Sequence, residues 1–251
     1  MFLQERQDAI VDLLSREGRV RVADLAKRFE VSEDCIRKDL QQLDAAGRCR
    51  RVYGGAMPVE QRVELDVRRR VGTDSKEKRL VAERALPLIR QDQTIFLDVA
   101  STNLELARLI GASDLRCTVV SNMFDALMAV AANPRATAVC PGGTVVANLN
   151  GLVGATTLAA LQRMRFDLAF VGALGANLEE DAAYTFDADD GAIKRCAIER
   201  SDKSYLVTAS RKFERQGGFQ YADLTDLTGL VTDDERPAVR QQAEELGLEV
   251  V

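Results

Sequence analysis

The stretch VSEDCIRKDLQQLDAAGRCRRVYGGA, residues 31–56, decides how the chain begins. Near its start Ser32 reads as a helix cap, a hydroxyl placed to satisfy the free N–H groups of a first helical turn. Ile36, Leu40 and Leu43 follow at spacings of four and three, which makes one apolar stripe and leaves Asp34, Arg37, Lys38 and Gln41 on other faces. Beyond the helix comes a basic segment, RCRRVYGGA, that ends in Gly54-Gly55 and predicts a β-hairpin.

Outward from that stretch, Leu3, Ile10 and Leu14 recur at helical spacing before Gly18, which predicts a helix over 3–17. VADLAKRF, residues 22–29, predicts a second helix with Val22, Leu25, Ala26 and Phe29 turned inward. Three helices and a basic hairpin predict a winged helix-turn-helix over residues 1–57. In such a module the second helix of the pair enters the major groove, where Arg addresses guanine and Gln addresses adenine, and the wing lies on the backbone. Residues 1–57 hold eleven Lys/Arg against ten Asp/Glu, in a chain of net charge -5, so the placement of charge carries the argument and its total does not. The alternative for Arg37 and Lys38 is a solvated helix face. The order of cap, stripe, basic pair and hairpin favours double-stranded DNA, with Ser32, Asp34, Cys35, Arg37, Lys38, Gln41, Arg48, Arg50, Arg51, Tyr53, Gly54 and Gly55 as the candidate DNA-binding set.

No apolar run approaches the roughly 18 residues that cross a bilayer, and MFLQERQDAI lacks the order of a secretory signal, so no membrane partner and a cytoplasmic location are expected. The five cysteines form no CxxC pair, and histidine is absent. That composition removes Ser-His-Asp and Cys-His catalysis and His-ligated metals, so neither a metal nor a cofactor is expected. An enzyme built from this chain would have to work with Asp, Glu, Lys or backbone groups.

Residues 58–74 mix charges with scattered apolar positions and are read as a linker. Within it, Arg68-Arg69-Arg70 suits either DNA contact or a solvated helix surface. From residue 75 to 251, helical patterns alternate with the apolar runs TIFLDV, CTVVSN, ATAVC, DLAFVGA, SYLVTA, LTGLVT and LEVV. This predicts an α/β domain, a mainly parallel sheet covered by helices, with ligands at the C-terminal ends of the strands. The loops there supply Asp98, Ser101, Thr102 and Asn103, then Ser121 and Asn122, Gly142, Gly143 and Thr144, and Gly172 and Gly175. Hydroxyls and backbone N–H groups ahead of a helix make an anion site, and phosphate is its natural guest. Helix capping and tight turning are the plainer roles for the same residues.

The first part resembles the DeoR family of bacterial transcriptional regulators, whose members read S-x-x-T-I-R-R-D-L and close a wing in G-G-A. The matching residues are Ser32, Ile36, Arg37, Lys38, Asp39, Leu40 and Gly54-Gly55-Ala56, with Cys35 at the usual Thr. The resemblance runs on through the α/β part, where the family's sensor domain has a fold like ribose-5-phosphate isomerase. Asp98, Ser101 and Thr102 match D-x-G-[ST]-T, with Ala100 for glycine. Asn122 matches T-N, Gly142 and Gly143 match G-G, and Lys194 and Arg195 match V-K-R. Ser210, Lys212 and Phe213 match the end of D-S-[SH]-K-F. Leu174 replaces the Asp of GADG and Ala209 the Asp of DSSKF, both carboxylates suited to sugar hydroxyls or proton transfer.

The resemblance implies a sequence-specific regulator, expected to repress a carbohydrate-metabolism operon and not to be an enzyme. A phosphorylated sugar or related metabolite is the implied effector, held by Asp98, Ser101, Thr102, Asn103, Asn122, Gly142, Gly143, Gly172, Lys194 and Lys212. One winged module buries only about 600–1,000 Å² on DNA, so a homo-oligomer, dimer or tetramer, is expected. The alternative is a sugar-phosphate isomerase-like enzyme using Asp98, against which Leu174 and Ala209 count. A dinucleotide enzyme lacks the G-x-G-x-x-G that should follow the first strand.

Overall fold

The computed structural model describes residues 3–17, 20–46, 48–52, 54–57, 67–71, 73, 75–213 and 215–251. They fall into two units, Met1–Glu64 and Leu65–Val251. The smaller runs α1 (Leu3–Glu17), β1 (Val20–Arg21), α2 (Val22–Phe29), α3 (Glu33–Ala45), β2 (Arg50–Val52) and β3 (Gly55–Met57). Ser32 begins α3 in an extended conformation and accepts a hydrogen bond from the Cys35 N–H at 3.2 Å. The stripe Ile36, Leu40 and Leu43 is buried against Ile10, Leu14 and Leu25. Leu3, read as part of the α1 stripe, is instead exposed, because it lies a full turn and more beyond the core that begins at Ile10. Strands β2 and β3 form the expected hairpin, and β3 pairs on its other side with β1. A Cβ on residue 55 would sit 1.9 Å from the Val20 carbonyl oxygen, so only glycine lets the wing close onto β1.

The larger unit opens with α4 (Val67–Arg70) and α5 (Ser75–Ala85), then β4 (Thr94–Leu97), α6 (Ser101–Gly111), β5 (Thr118–Ser121), α7 (Phe124–Val130) and β6 (Thr137–Val139). A hairpin of β7 (Thr144–Val146) and β8 (Gly151–Val153) leads to α8 (Ala155–Leu161) and β9 (Phe166–Gly172). Next come β10 (Gly175–Asn177), β11 (Ala182–Thr185), α9 (Ala188–Glu199), β12 (Ser201–Thr208), β13 (Phe219–Ala222), β14 (Gly229–Thr232), α10 (Pro237–Glu245) and β15 (Glu249–Val250). Seven strands form one sheet in the order β15-β14-β12-β9-β4-β5-β6, every pair parallel. Each of them comes from one of the seven apolar runs, and their buried residues, Phe96, Phe166, Phe170 and Tyr205 among them, form the core. A second sheet, β10-β11-β13, is antiparallel.

At the C-terminal side of the segment read as a linker over 58–74, the described residues pack with the larger unit. Val67 is fully buried in the core of the larger unit and its N–H donates to the Asn148 carbonyl at 2.7 Å. The Lys78 ammonium donates to the carbonyls of Arg70 and Thr73, both at 2.6 Å, and so ties this segment to α5. Residues 58–66 lie outside the described residues. Burial pushes the thiols of Cys49, Cys117 and Cys196 up in pKa, which suits reduced packing residues.

Candidate functional site

On α3 the side chains of Arg37, Lys38 and Gln41 are exposed on the face away from the core. In the unbound protein Arg37 rests on its own helix: its guanidinium donates to Asp34 Oδ1 at 2.6 Å and to Glu33 Oε2 at 2.5 Å. Half of the Arg37 side chain remains open to solvent (52%), so these bonds are exchangeable for others. The cap at Ser32 uses the backbone N–H of Cys35, which leaves the half-buried thiol outside it. Arg48 is exposed and pairs with Asp8 of α1 at 2.8 Å. Arg51 is exposed on β2 and its N–H donates to Asp44 Oδ1 at 3.2 Å. Gly54 is exposed with φ 77°, and Gly55 is buried behind it. Tyr53 and the Arg50 side chain lie outside the described residues.

Sequence reasoning placed Asp39 only as a motif position. It is three residues from Ile36 and four from Leu43, so it shares the core face, and it is 2% exposed. Arg6 of α1 meets it with two bonds, Nε to Oδ2 at 2.6 Å and Nη2 to Oδ1 at 3.2 Å. The hydrogen bond to Asp39 raises the Arg6 pKa against the opposing effect of burial. A paired charge of this kind fixes the rotation of α3 about its axis, and with it the direction in which Arg37 and Gln41 point.

In the larger unit a cleft lies where the loops after β4 and β9 meet α9. It is lined by Arg70, Val99, Ala100, Leu149, Gly172, Ala173, Leu174, Thr185, Phe186, Asp190 and Lys194. The β9 loop comes close because residue 172 is glycine: a Cβ there would stand 2.5 Å from that of Ala100. Beneath the cleft, Asp98 is wholly buried and accepts bonds from Lys194, from Asn103 and, at 3.0 Å, from the Gly172 N–H. Lys194 also stands 3.2 Å from Asp190, which accepts from the Thr185 hydroxyl at 2.7 Å. Burial works against the Lys194 charge, yet Asp190 and Asp98 together raise its pKa and keep it an ammonium. Burial likewise raises the Asp190 pKa, opposed by Lys194.

Of the residues read as an effector site, Gly172 and Lys194 line the cleft. Asp98 and Asn103 sit directly behind them. Lys212 is buried nearby, its ammonium donating to the Ala173 carbonyl at 2.6 Å. Ser101 and Thr102 are buried at the head of α6, next to the lining residue Ala100. Asn122 donates to the Leu152 carbonyl at 3.0 Å, and the neighbouring Gly151 abuts Val99. Gly142 and Gly143 turn the chain with φ 77° and 133°, and the Thr157 hydroxyl donates to the Gly142 carbonyl at 2.7 Å; they lie apart from the lining set. Sequence reading did not place Arg70, Thr185, Phe186 and Asp190 at this cleft. The spacing of Asp190 and Lys194, one helical turn apart on α9, was the available signal for one of them.

A winged three-helix unit with exposed cations, joined to a parallel α/β unit with a charged cleft, defines a helix-turn-helix DNA-binding protein with a second domain. Residues 6–62 match the DeoR-like helix-turn-helix domain and residues 73–234 the DeoR C terminal sensor domain. The chain belongs to the DeoR family of transcriptional regulators. It is 30% identical to the HTH-type transcriptional regulator GolR of Listeria innocua, over 100% of this chain and 98% of that one. It is 26% identical to the lactose phosphotransferase system repressor of Streptococcus mutans, over 93% of each. Among solved structures, ribose 5-phosphate isomerase A from Methanocaldococcus jannaschii is similar over 56% of this chain and 55% of that one, with 18% identity and a TM-score of 0.39. Among the described residues, no helix is long and apolar enough to cross a membrane.

Proposed function

We propose that this DNA-binding regulator is a cytoplasmic repressor of a carbohydrate-metabolism operon, that it grips its operator as a homo-oligomer, and that a phosphorylated sugar or related metabolite in the α/β cleft releases it. The observation that carries the DNA half is the exposed set Arg37, Lys38 and Gln41 on a helix whose rotation is pinned by Arg6–Asp39. In this reading α3 enters the major groove with Arg37 and Gln41 at base edges, and Arg48 and Arg51 lie along the phosphates. The cleft supports the effector half through its cations, Arg70 and Lys194. The lactose system repressor among the relatives supports a sugar operon.

An isomerase reading finds less support. A general base must be open to the proton it takes, whereas Asp98 is sealed beneath the cleft with Lys194, Asn103 and Gly172 already upon it. Operator affinity measured while phosphorylated sugars are titrated tests the proposal. Release requires a coupling of about 1–3 kcal/mol, or roughly 5- to 150-fold in affinity. No response to any of a broad panel would leave a DNA binder with an unoccupied role for its second unit.

A further inference from the structure

The floor of the cleft is charged and its walls are apolar. Val99, Ala100, Leu149, Ala173, Leu174 and Phe186 face it. The loop after β9 turns its polar groups away from the opening: the Tyr221 hydroxyl donates to the Gly172 carbonyl at 3.1 Å, Lys212 to the Ala173 carbonyl at 2.6 Å, and the Leu174 N–H to the Tyr184 carbonyl at 2.8 Å. Both carboxylates are engaged as well, Asp98 by Lys194, Asn103 and Gly172, and Asp190 by Thr185 and Lys194. Among the lining side chains one carboxylate oxygen is left without a hydrogen bond, Asp190 Oδ1, 3.2 Å from the Lys194 ammonium; along Leu174 and Phe186 a ligand hydroxyl meets apolar side chains. A hydroxyl that gives up water without gaining an acceptor weakens binding by about tenfold or more.

The cations gather close to this wall. Arg70 lines the cleft, and the Lys212 ammonium has Arg70, Arg211 and Lys78 as charged neighbours. Burial first, and then those three charges, hold the Lys212 pKa well below the usual lysine range. An anion seated among them relieves that crowding. The cleft itself has a volume of about 10 Å³, room for about one water, so a ligand enters only as the lining side chains move apart; the groups it would then meet suit an anionic head and a body that carries few hydroxyls.

We infer that the effector is a phosphomonoester whose body, where it meets Leu174 and Phe186, is poor in hydroxyls, with Arg70 as a partner of the phosphate. This rests on the reading of the cleft as the effector site. Calorimetric titration of the full chain with inorganic phosphate, n-butyl phosphate and erythritol 4-phosphate tests it, since the last two share a carbon chain and differ in their hydroxyls. Butyl phosphate is expected to bind about tenfold tighter than erythritol phosphate, and Leu174→Asp to shrink or invert that ratio. Arg70→Gln is expected to weaken all three ligands by about tenfold.

Should Leu174→Asp fail to fold, Leu174→Asn carries the same comparison, and the wild-type ranking stands by itself. Erythritol phosphate binding as tightly as butyl phosphate, with inorganic phosphate also bound, overturns the hydroxyl-poor body and leaves the anion site intact. Loss of the butyl phosphate preference in the wild type has the same meaning. Silence from all three ligands, inorganic phosphate included, overturns the effector-site reading and this inference with it.

Discussion

The α3 face and the α/β cleft handle positive charge in opposite ways. On α3 the cations Arg37 and Lys38 stand in solvent, whereas in the α/β unit Lys78, Lys194 and Lys212 are nearly or wholly buried. An exposed pair such as Arg37 with Glu33 contributes at most about 0.5 kcal/mol, so its cation is readily traded to a phosphate. A buried cation has no such freedom and must be balanced where it stands, by Asp98 and Asp190 for Lys194 or by carbonyl oxygens for Lys78. Surface charge therefore suits a long polyanion met by exchange of ions. Buried charge suits a small ligand whose shape and charge must fit what is already there. The small unit has its own buried pair, Arg6–Asp39, and uses it to aim the exposed ones.

The largest expected effect is on the buried side. Lys194→Met leaves Asp98 and Asp190 enclosed without their ammonium, and should cost about 3–5 kcal/mol in urea unfolding of the full chain. A cost under about 1 kcal/mol would mean that water or protons already balance those carboxylates, and the contrast between the two sites would fail. Next in size is Asp39→Asn, which keeps the shape but removes a charge-assisted pair; about 2 kcal/mol of stability should go with it. Unchanged stability with lost operator binding would show Asp39 acting on DNA and not on the pose of α3.

Arg37→Ala sharpens the other half. Stability should change by less than about 0.5 kcal/mol, while operator affinity should fall by about 1–3 kcal/mol. Arg51→Ala should weaken all sequences alike and flatten the slope of log affinity against log salt by about 0.9. Wild type and both variants binding one operator equally at moderate salt would remove α3 and the wing from the interface.

How far these features were legible in the sequence follows the range of each signal. The α3 cap and stripe are local, three or four residues apart, and the structure reproduces them. The seven apolar runs become the seven parallel strands because a strand buried on both faces must be continuously apolar. What escaped was short or nonlocal. Strand β1 is two residues long, and β10, β11 and β13 alternate too little to show a period. Arg6 and Asp39 are far apart in the chain and meet only after α1 packs on α3. Arg70 read as one of three arginines on a solvated or DNA-facing helix, and only the docking of Val67 into the core turns it toward the cleft.

The last expected effect concerns Lys212 and depends on pH. Its pKa is lowered well below 10.5 in the folded protein, by burial and by Arg70, Arg211 and Lys78, whereas the unfolded chain restores the ordinary value. Between the two values the unfolded state binds more protons than the folded state, so stability rises with pH across that window. The slope for one such group cannot exceed about 1.4 kcal/mol per pH unit. Lys194, whose pKa is raised, loses its contribution only as pH climbs through that raised value, and so leaves the lower window to Lys212. Urea midpoints of wild type and Lys212→Met between about pH 7 and 10 should therefore diverge, the wild type gaining with pH and the variant staying flatter. Parallel curves would mean that the Lys212 ammonium is hydrated and titrates as a surface lysine does. The surroundings of the cleft would then hold exchangeable charge, as the α3 face does, and the division between the two sites would rest on Lys194 and Lys78 alone.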